Sequence, residues 1–234
     1  MRSYHQFCGL AKALDLVGDR WTLLIVRELL LQGPARYSDL QRGLPGIATN
    51  LLGTRLRELV ARGIVERRES APPVATPLFA LTAWGEELRP IVLALGRWAG
   101  RTLISPAPRD RVRSHWLALP LEHLVVDRTP HRAPVHIELR TGERPVTLEV
   151  AGEIRVHTRR SERPDAVLIA PPHVIIALLA GRLTLAAARA RGLRLEGDAS
   201  ALKRVRPSST GRRSTVPVTS GTYGPARPAP VRAR

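Results

Sequence analysis

The stretch Tyr37-Ser-Asp-Leu-Gln-Arg-Gly-Leu-Pro-Gly-Ile-Ala-Thr-Asn-Leu-Leu-Gly-Thr-Arg-Leu-Arg-Glu-Leu-Val-Ala-Arg-Gly-Ile-Val-Glu-Arg67 decides how this chain is read. Residues 37–43 predict a short helix with Leu40 facing inward, and Leu44-Pro45-Gly46 predicts a tight turn. A second helix follows from about Thr49 to Arg62, with Gly63 as a left-handed stop. Leu52, Leu56, Leu59 and Val60 recur at helical spacing on one side. Asn50, Thr54 and Arg57 cluster on the opposite side.

The flanks fit this pair of helices. Upstream, 9–17 reads as a short helix, Gly18-Asp19 breaks it, and Asp19 is placed to cap the next one. That next helix, Trp21 to Leu31, is apolar on several faces, and Gly33-Pro34 stops it. Downstream, 64–68 alternates like a strand, 71–77 reads as a loop and 78–81 as a returning strand. Thr82 then caps a long helix to about Arg101, with Trp84, Leu88, Ile91, Leu95 and Trp98 as its apolar stripe. Helix, turn, helix and hairpin in this order predict a winged helix-turn-helix.

The residue types on the second helix suit duplex DNA. In the major groove Asn pairs with both edge groups of adenine, and Arg with both acceptors of guanine. Thr hydrogen-bonds a base or touches a thymine methyl. Asn50, Thr54 and Arg57 are therefore the base-contact candidates, and Thr49 at the helix start suits a phosphate. Arg55, on the flank, takes either a phosphate or an acidic neighbour. Arg67 and Arg68, at the base of the wing, reach toward the adjacent backbone or minor groove. The bland alternative is that each is a solvated surface residue.

Composition supports a polyanionic partner. The formal net charge is +17 over 234 residues. It is uneven: 1–104 hold 14 Lys+Arg against 9 Asp+Glu, and 105–234 hold 23 against 11. The tail carries Arg212, Arg213, Arg227, Arg232 and Arg234 with no acid. The hydrophobic fraction of 44% suffices for a core, but with 4% aromatics that core must be aliphatic. The single Cys8 excludes an intramolecular disulfide. No apolar run resembles a signal peptide or a membrane span, so a cytoplasmic location is expected.

Residues 8–29, 37–47, Leu52, 55–59, Leu81-Thr82 and Gly85 together resemble the HxlR-type winged-helix transcriptional regulators. The resemblance covers about residues 4–101. It implies a homodimeric DNA-binding regulator paired through the first helix and the helix after the wing, here 9–17 and 84–101 with Trp84 and Trp98. Two positions depart from the family. Ala48 stands where a Ser-like cap is usual, and the wing tip 71–76 has no Lys or Arg. The resemblance also makes Cys8 a redox candidate, since some members use a Cys just before the first helix to sense oxidants. A helix N-terminus lowers a thiol pKa, and Lys12 lies one turn on. The competing reading of Cys8 is a small packing residue.

The second half differs in kind. Strands are expected at 135–139, 146–150, 154–157, 166–169 and 193–196, with helices at 171–180, 183–191 and 199–205. Residues 109–126 read as helical but broken at Pro120. Asp165 to Leu183 and Gly192 to Leu202 resemble parts of a sterol-carrier-protein-like domain, over about residues 110–206. That implies a sheet with helices over an apolar cavity. Val174, Ile175, Leu178, Leu179, Leu183, Leu185 and Leu193 are apolar enough to line such a cavity, or to fill an ordinary core. From 207 onward Pro, Ser, Thr, Gly and Arg dominate without an apolar period, which predicts a disordered basic tail.

The expected class is therefore α+β. It comprises a winged helix-turn-helix domain at 1–104, a smaller sterol-carrier-like α+β domain at 105–206 with 105–108 as linker, and the tail at 207–234. Enzymatic readings find no support. The seven histidines lack metal-ligand spacing, there is no thiol pair, and no phosphate-cradling glycine loop occurs. No catalytic residue, metal or cofactor is expected. The function expected is a homodimeric repressor on a palindromic operator in double-stranded DNA, modulated by a small apolar ligand or by Cys8. The alternative is a lipid-binding carrier with non-specific nucleic-acid affinity.

Overall fold

The computed structural model describes residues 3–69, 76–100, 107, 109–142, 144–158 and 160–208. Most of the wing tip, the division at 104 and 105, most of the expected linker and the basic tail beyond Ser208 lie outside the described residues.

The first half opens with α1 (Gly9–Val17), α2 (Thr22–Gln32), β1 (Ala35–Arg36), α3 (Tyr37–Gly43) and α4 (Thr49–Ala61). The hairpin strands β2 (Val65–Glu69) and β3 (Pro77–Leu81) follow, then α5 (Ala83–Glu86) and α6 (Arg89–Ala99). The helical spacing of Leu52, Leu56 and Leu59 turns all three into the core beside Ile25, Leu29, Leu40 and Leu44. Gly63 adopts φ 72°, and the amides of Gly63 and Ile64 cap the α4 carbonyls of Val60 and Leu59. β2 pairs with β3 antiparallel, with Arg67 opposite Phe79, and β1 adds to the other edge of β3.

Two expectations for this half need correction. Asp19 does not cap α2 with its side chain. Its carboxylate is bonded to Arg55 at 2.7 Å, its main-chain carbonyl receives the Thr22 amide, and Trp21 enters the helix at φ 80°. The N-cap position falls on Trp21, two residues past Asp19, so a bulky residue with no capping oxygen is left in a costly backbone region. The helix after the wing is also divided rather than continuous. Thr82 caps α5 as expected, accepting from the Gly85 amide at 3.0 Å. Pro90, near the start of α6, lacks an amide donor, and its ring conflicts with the carbonyl four residues earlier. The chain therefore restarts at Arg89.

The second half begins with a 3-10 turn, Ser114–Leu117, running into α7 (Ala118–Leu124) and β4 (Val125–Asp127). Pro120 does not break α7. It lies in the first turn, where no amide donor is needed. Then come β5 (Val135–Arg140), β6 (Val146–Ala151), β7 (Glu153–His157), β8 (Ala166–Ile169), α8 (Pro172–Leu179), α9 (Leu185–Arg189), β9 (Arg194–Gly197), α10 (Ser200–Arg204) and β10 (Val205–Pro207). Five strands form one sheet in the order β7-β6-β5-β8-β9, antiparallel except for β5 and β8. Ile137 faces Leu148 across the ladder and Leu139 faces Val146, and these residues enter a second core with Leu168, Val174 and Ile175. The small β4–β10 sheet was not anticipated. It is pinned by Arg204, whose Nη2 reaches Asp127 Oδ2 at 2.6 Å, with both side chains buried.

The two cores meet at one segment. Leu117 and Leu121 belong to the second core, while Leu119 between them belongs to the first.

Candidate nucleic-acid interface

α4 presents its two faces as the periodicity requires. Leu52, Leu56 and Leu59 are at most 1% exposed, whereas Thr49, Asn50 and Arg57 are exposed and Thr54 is half-buried. The polar residues are linked to one another. Arg57 Nη2 donates to Thr54 Oγ1 at 3.1 Å, and Thr54 Oγ1 donates to the Asn50 carbonyl at 3.0 Å. Asn50 Oδ1 accepts from the Leu51 amide at 2.9 Å. The bond ties down an orphan amide of the first turn, so Asn50 must exchange that contact before it can present both amide groups to a base.

The missing cap at Ala48 is real: no side-chain bond caps α4 there. The preceding helix supplies the support instead. Gln41 Nε2 donates to Thr49 Oγ1 at 2.6 Å, and the Tyr37 hydroxyl donates to the Thr49 carbonyl. Tyr37 and Gln41 are four residues apart on α3 and so share a face. The positioning role of this pair was missed from sequence, although the spacing within a seven-residue helix held the signal.

The remaining arginines divide in use. Of the two kinds of partner expected for Arg55, the structure shows the acidic one: Nη1 is 2.7 Å from Asp19 and 2.6 Å from Glu58. Arg68 is exposed and paired with Glu66 at 2.6 Å. Arg67 is exposed, with its guanidinium 5.6 Å from the centre of the Phe79 ring. On the edge of the hairpin the pair can present cationic groups to a phosphate backbone.

Cys8 is exposed at the N-terminus of α1. The backbone amides of Ala11 and then Leu10 hold its thiol below the ordinary range. The seven apolar residues of the second half are brought together. Val174, Ile175, Leu179 and Leu193 are buried in the second core, with Leu178, Leu183 and Leu185 packed against it. A described cleft of about 460 Å³ lies elsewhere, between the N-terminal arm, α1 and α4. Among the described residues no group of three or more His, Cys, Asp or Glu could hold a metal, and no helix is long and apolar enough to cross a membrane.

Comparison with known proteins bears on each half separately. The family described as HxlR-like helix-turn-helix matches residues 16–106, and the SCP-2 sterol transfer family matches 127–207. The chain is 37% identical over 114 residues to the uncharacterized HTH-type transcriptional regulator MT3179 of Mycobacterium tuberculosis (strain CDC 1551 / Oshkosh), covering 47% of this chain and 71% of that protein. It is 36% identical over 95 residues to the uncharacterized HTH-type transcriptional regulator YkvN of Bacillus subtilis, covering 40% and 78%. Among solved structures, the reduced form of the transcriptional regulator YodB from B. subtilis is 29% identical, covering 42% of this chain and 96% of that one, with a TM-score of 0.37. With α3, the turn, α4 and the β2–β3 hairpin in the first half and a five-stranded sheet under helices in the second, the chain belongs to the HxlR-like helix-turn-helix family of transcriptional regulators and carries an SCP-2 sterol transfer family domain.

Proposed function

We propose that this protein is a homodimeric repressor that reads a palindromic operator in double-stranded DNA and takes an apolar ligand into its second half. The observation that carries the first part is the polar row Asn50, Thr54 and Arg57 above a wholly buried Leu52, Leu56 and Leu59. That division leaves a rigid helix whose outer face bears the residue types that read base edges. Thr49 and the first α4 amides take a phosphate, and Arg67 and Arg68 take the flanking backbone. Arg55 contributes by bracing α4 against Asp19.

Dimerisation is supported by large apolar side chains left exposed on the two segments the family uses. Leu10 and Leu14 lie on α1, and Trp84, Ile91, Leu95 and Trp98 on α5 and α6. Trp98 is 72% exposed, which a soluble monomer rarely tolerates alongside so many neighbours of its kind. A two-fold dimer reads two half-sites about one helical turn apart, hence a palindrome. Cys8, with its lowered thiol, would add redox control between subunits.

The SCP-2 match favours the second reading, a lipid carrier with incidental nucleic-acid affinity. One experiment separates the two: selection of bound duplexes from random DNA, then a salt-titrated shift assay on the winner. A specific site that survives competitor DNA and weakens steeply with salt supports the repressor. Binding that ignores sequence supports the carrier.

A further inference from the structure

Glu28 is an acidic residue in the middle of an apolar helix, and its side chain is completely buried. Its carboxylate accepts five hydrogen bonds. Oε1 receives Arg27 Nη2 at 2.6 Å, Arg27 Nε at 3.1 Å and the Trp116 indole at 2.6 Å. Oε2 receives Gln32 Nε2 at 2.7 Å and His115 Nε2 at 2.7 Å. The Arg27 guanidinium also lies 4.3 Å from the centre of the Trp116 ring. Two of the five donors therefore come from the second half, nearly ninety positions along the chain.

The other side of the same carboxylate touches the helix-turn-helix. A Cβ added at Gly43 would fall 2.3 Å from Glu28 Oε2. Gly43 is the last residue of α3, directly before the turn into α4. One buried group thus stands between the 3-10 turn of the second half and the turn that sets the angle of the reading helix.

We propose that Glu28 is a conformational joint: the seating of His115 and Trp116 on its carboxylate fixes the α3–α4 geometry, so that the second half controls the DNA-reading half. The joint is two-state because a buried charge needs its donors. Burial pushes the Glu28 carboxyl up, but the bonds from His115 and Arg27 outweigh this and hold it below its ordinary range, ionised. Without the two second-half donors the carboxylate keeps only the bonds from Arg27 and Gln32, and its shift toward them alters the contact at Gly43. The drive comes from the neighbouring core. Leu117 and Leu121 sit in the second core, so repacking there moves Trp116 and His115 directly. The effect on DNA rests on the repressor reading above; the joint itself does not.

Amide hydrogen exchange on the full chain, without DNA, tests this. Trp116→Phe keeps a six-membered aromatic ring and removes the pyrrole ring with its indole donor. It should speed exchange in residues 37–61 about tenfold, the loss expected for one charge-assisted bond. Glu28→Gln should do the same, and the double variant should exchange no faster than the greater single. Loosening confined to 107–124 with 37–61 unchanged in Trp116→Phe would overturn the joint, as would effects that simply multiply in the double variant. If Glu28→Gln does not fold, Trp116→Phe decides alone. A chain whose exchange responds as stated but which binds no specific DNA would refute the repressor reading and leave the joint standing.

Discussion

Gln41 Nε2 lies 2.6 Å from Thr49 Oγ1, so the helix before the turn holds the first residue of the helix after it. This bond and that of Tyr37 run from donors on α3 to acceptors on Thr49, so they brace the start of α4 without supplying the acceptor for its first amides that a capping side chain at position 48 would provide. Restoring the cap should therefore stabilise the fold. Ala48→Ser is expected to add about 1 kcal/mol, and to raise Tm by roughly 2–4 °C in a chain of this size. Gln41→Ala should act in the opposite sense, lowering Tm and weakening operator binding several-fold. Calorimetry and a shift assay check both.

Asp127 gives the clearest acid dependence. Arg204 first, then the amides of Thr129 and Gly152, lower its carboxyl from 3.8 to about 2. A depressed folded pKa contributes stability above the unfolded value, and that stability is lost as pH falls toward the folded one. The contribution, about 2–3 kcal/mol, should thus be complete above pH ~4 and fade between roughly pH 4 and 2. Asp127→Asn should flatten that limb and cost about 3–5 kcal/mol at neutral pH, because it strands Arg204 in the interior. Denaturant titrations across pH measure both.

These two cases show what could be read in the sequence. The α4 stripe, the stop at Gly63 and the cap at Thr82 were legible because each is written within a few residues. The polar face of α4 was legible for the same reason. What escaped depends on distant partners. Asp127 and Arg204 are 77 positions apart, and their bond pins the β4–β10 sheet. Glu28 reads as an ordinary helix acid until His115 and Trp116 arrive. Asp19 reads as a cap, but its carboxylate is engaged by Arg55, 36 residues on.

Cys8 should alkylate with an apparent pKa below that of a free thiol, because the Ala11 and Leu10 amides favour its thiolate. Iodoacetamide rates against pH measure this directly. If redox control operates, peroxide should join two subunits on a non-reducing gel and change DNA affinity. Cys8→Ser should abolish both responses. Equal behaviour of wild type and Cys8→Ser under peroxide and reductant removes Cys8 from the mechanism.

The exposed aromatic on α6 should hold subunits together. Trp98→Glu places a charge in the proposed interface and should yield monomers in analytical ultracentrifugation while the circular dichroism spectrum is retained. A dimer that survives this change, and the same change at Leu95, would place the interface elsewhere.

The most direct test of the central claim is base discrimination by the reading helix. With the operator selected from random DNA, Asn50→Ala and Arg57→Ala should each lose about 1–3 kcal/mol of preference for the site over a single-base variant. Non-specific binding should stay near wild type for Asn50→Ala, which carries no charge. Unchanged discrimination in both variants would contradict the account, because the face Asn50, Thr54 and Arg57 would then not be what reads DNA.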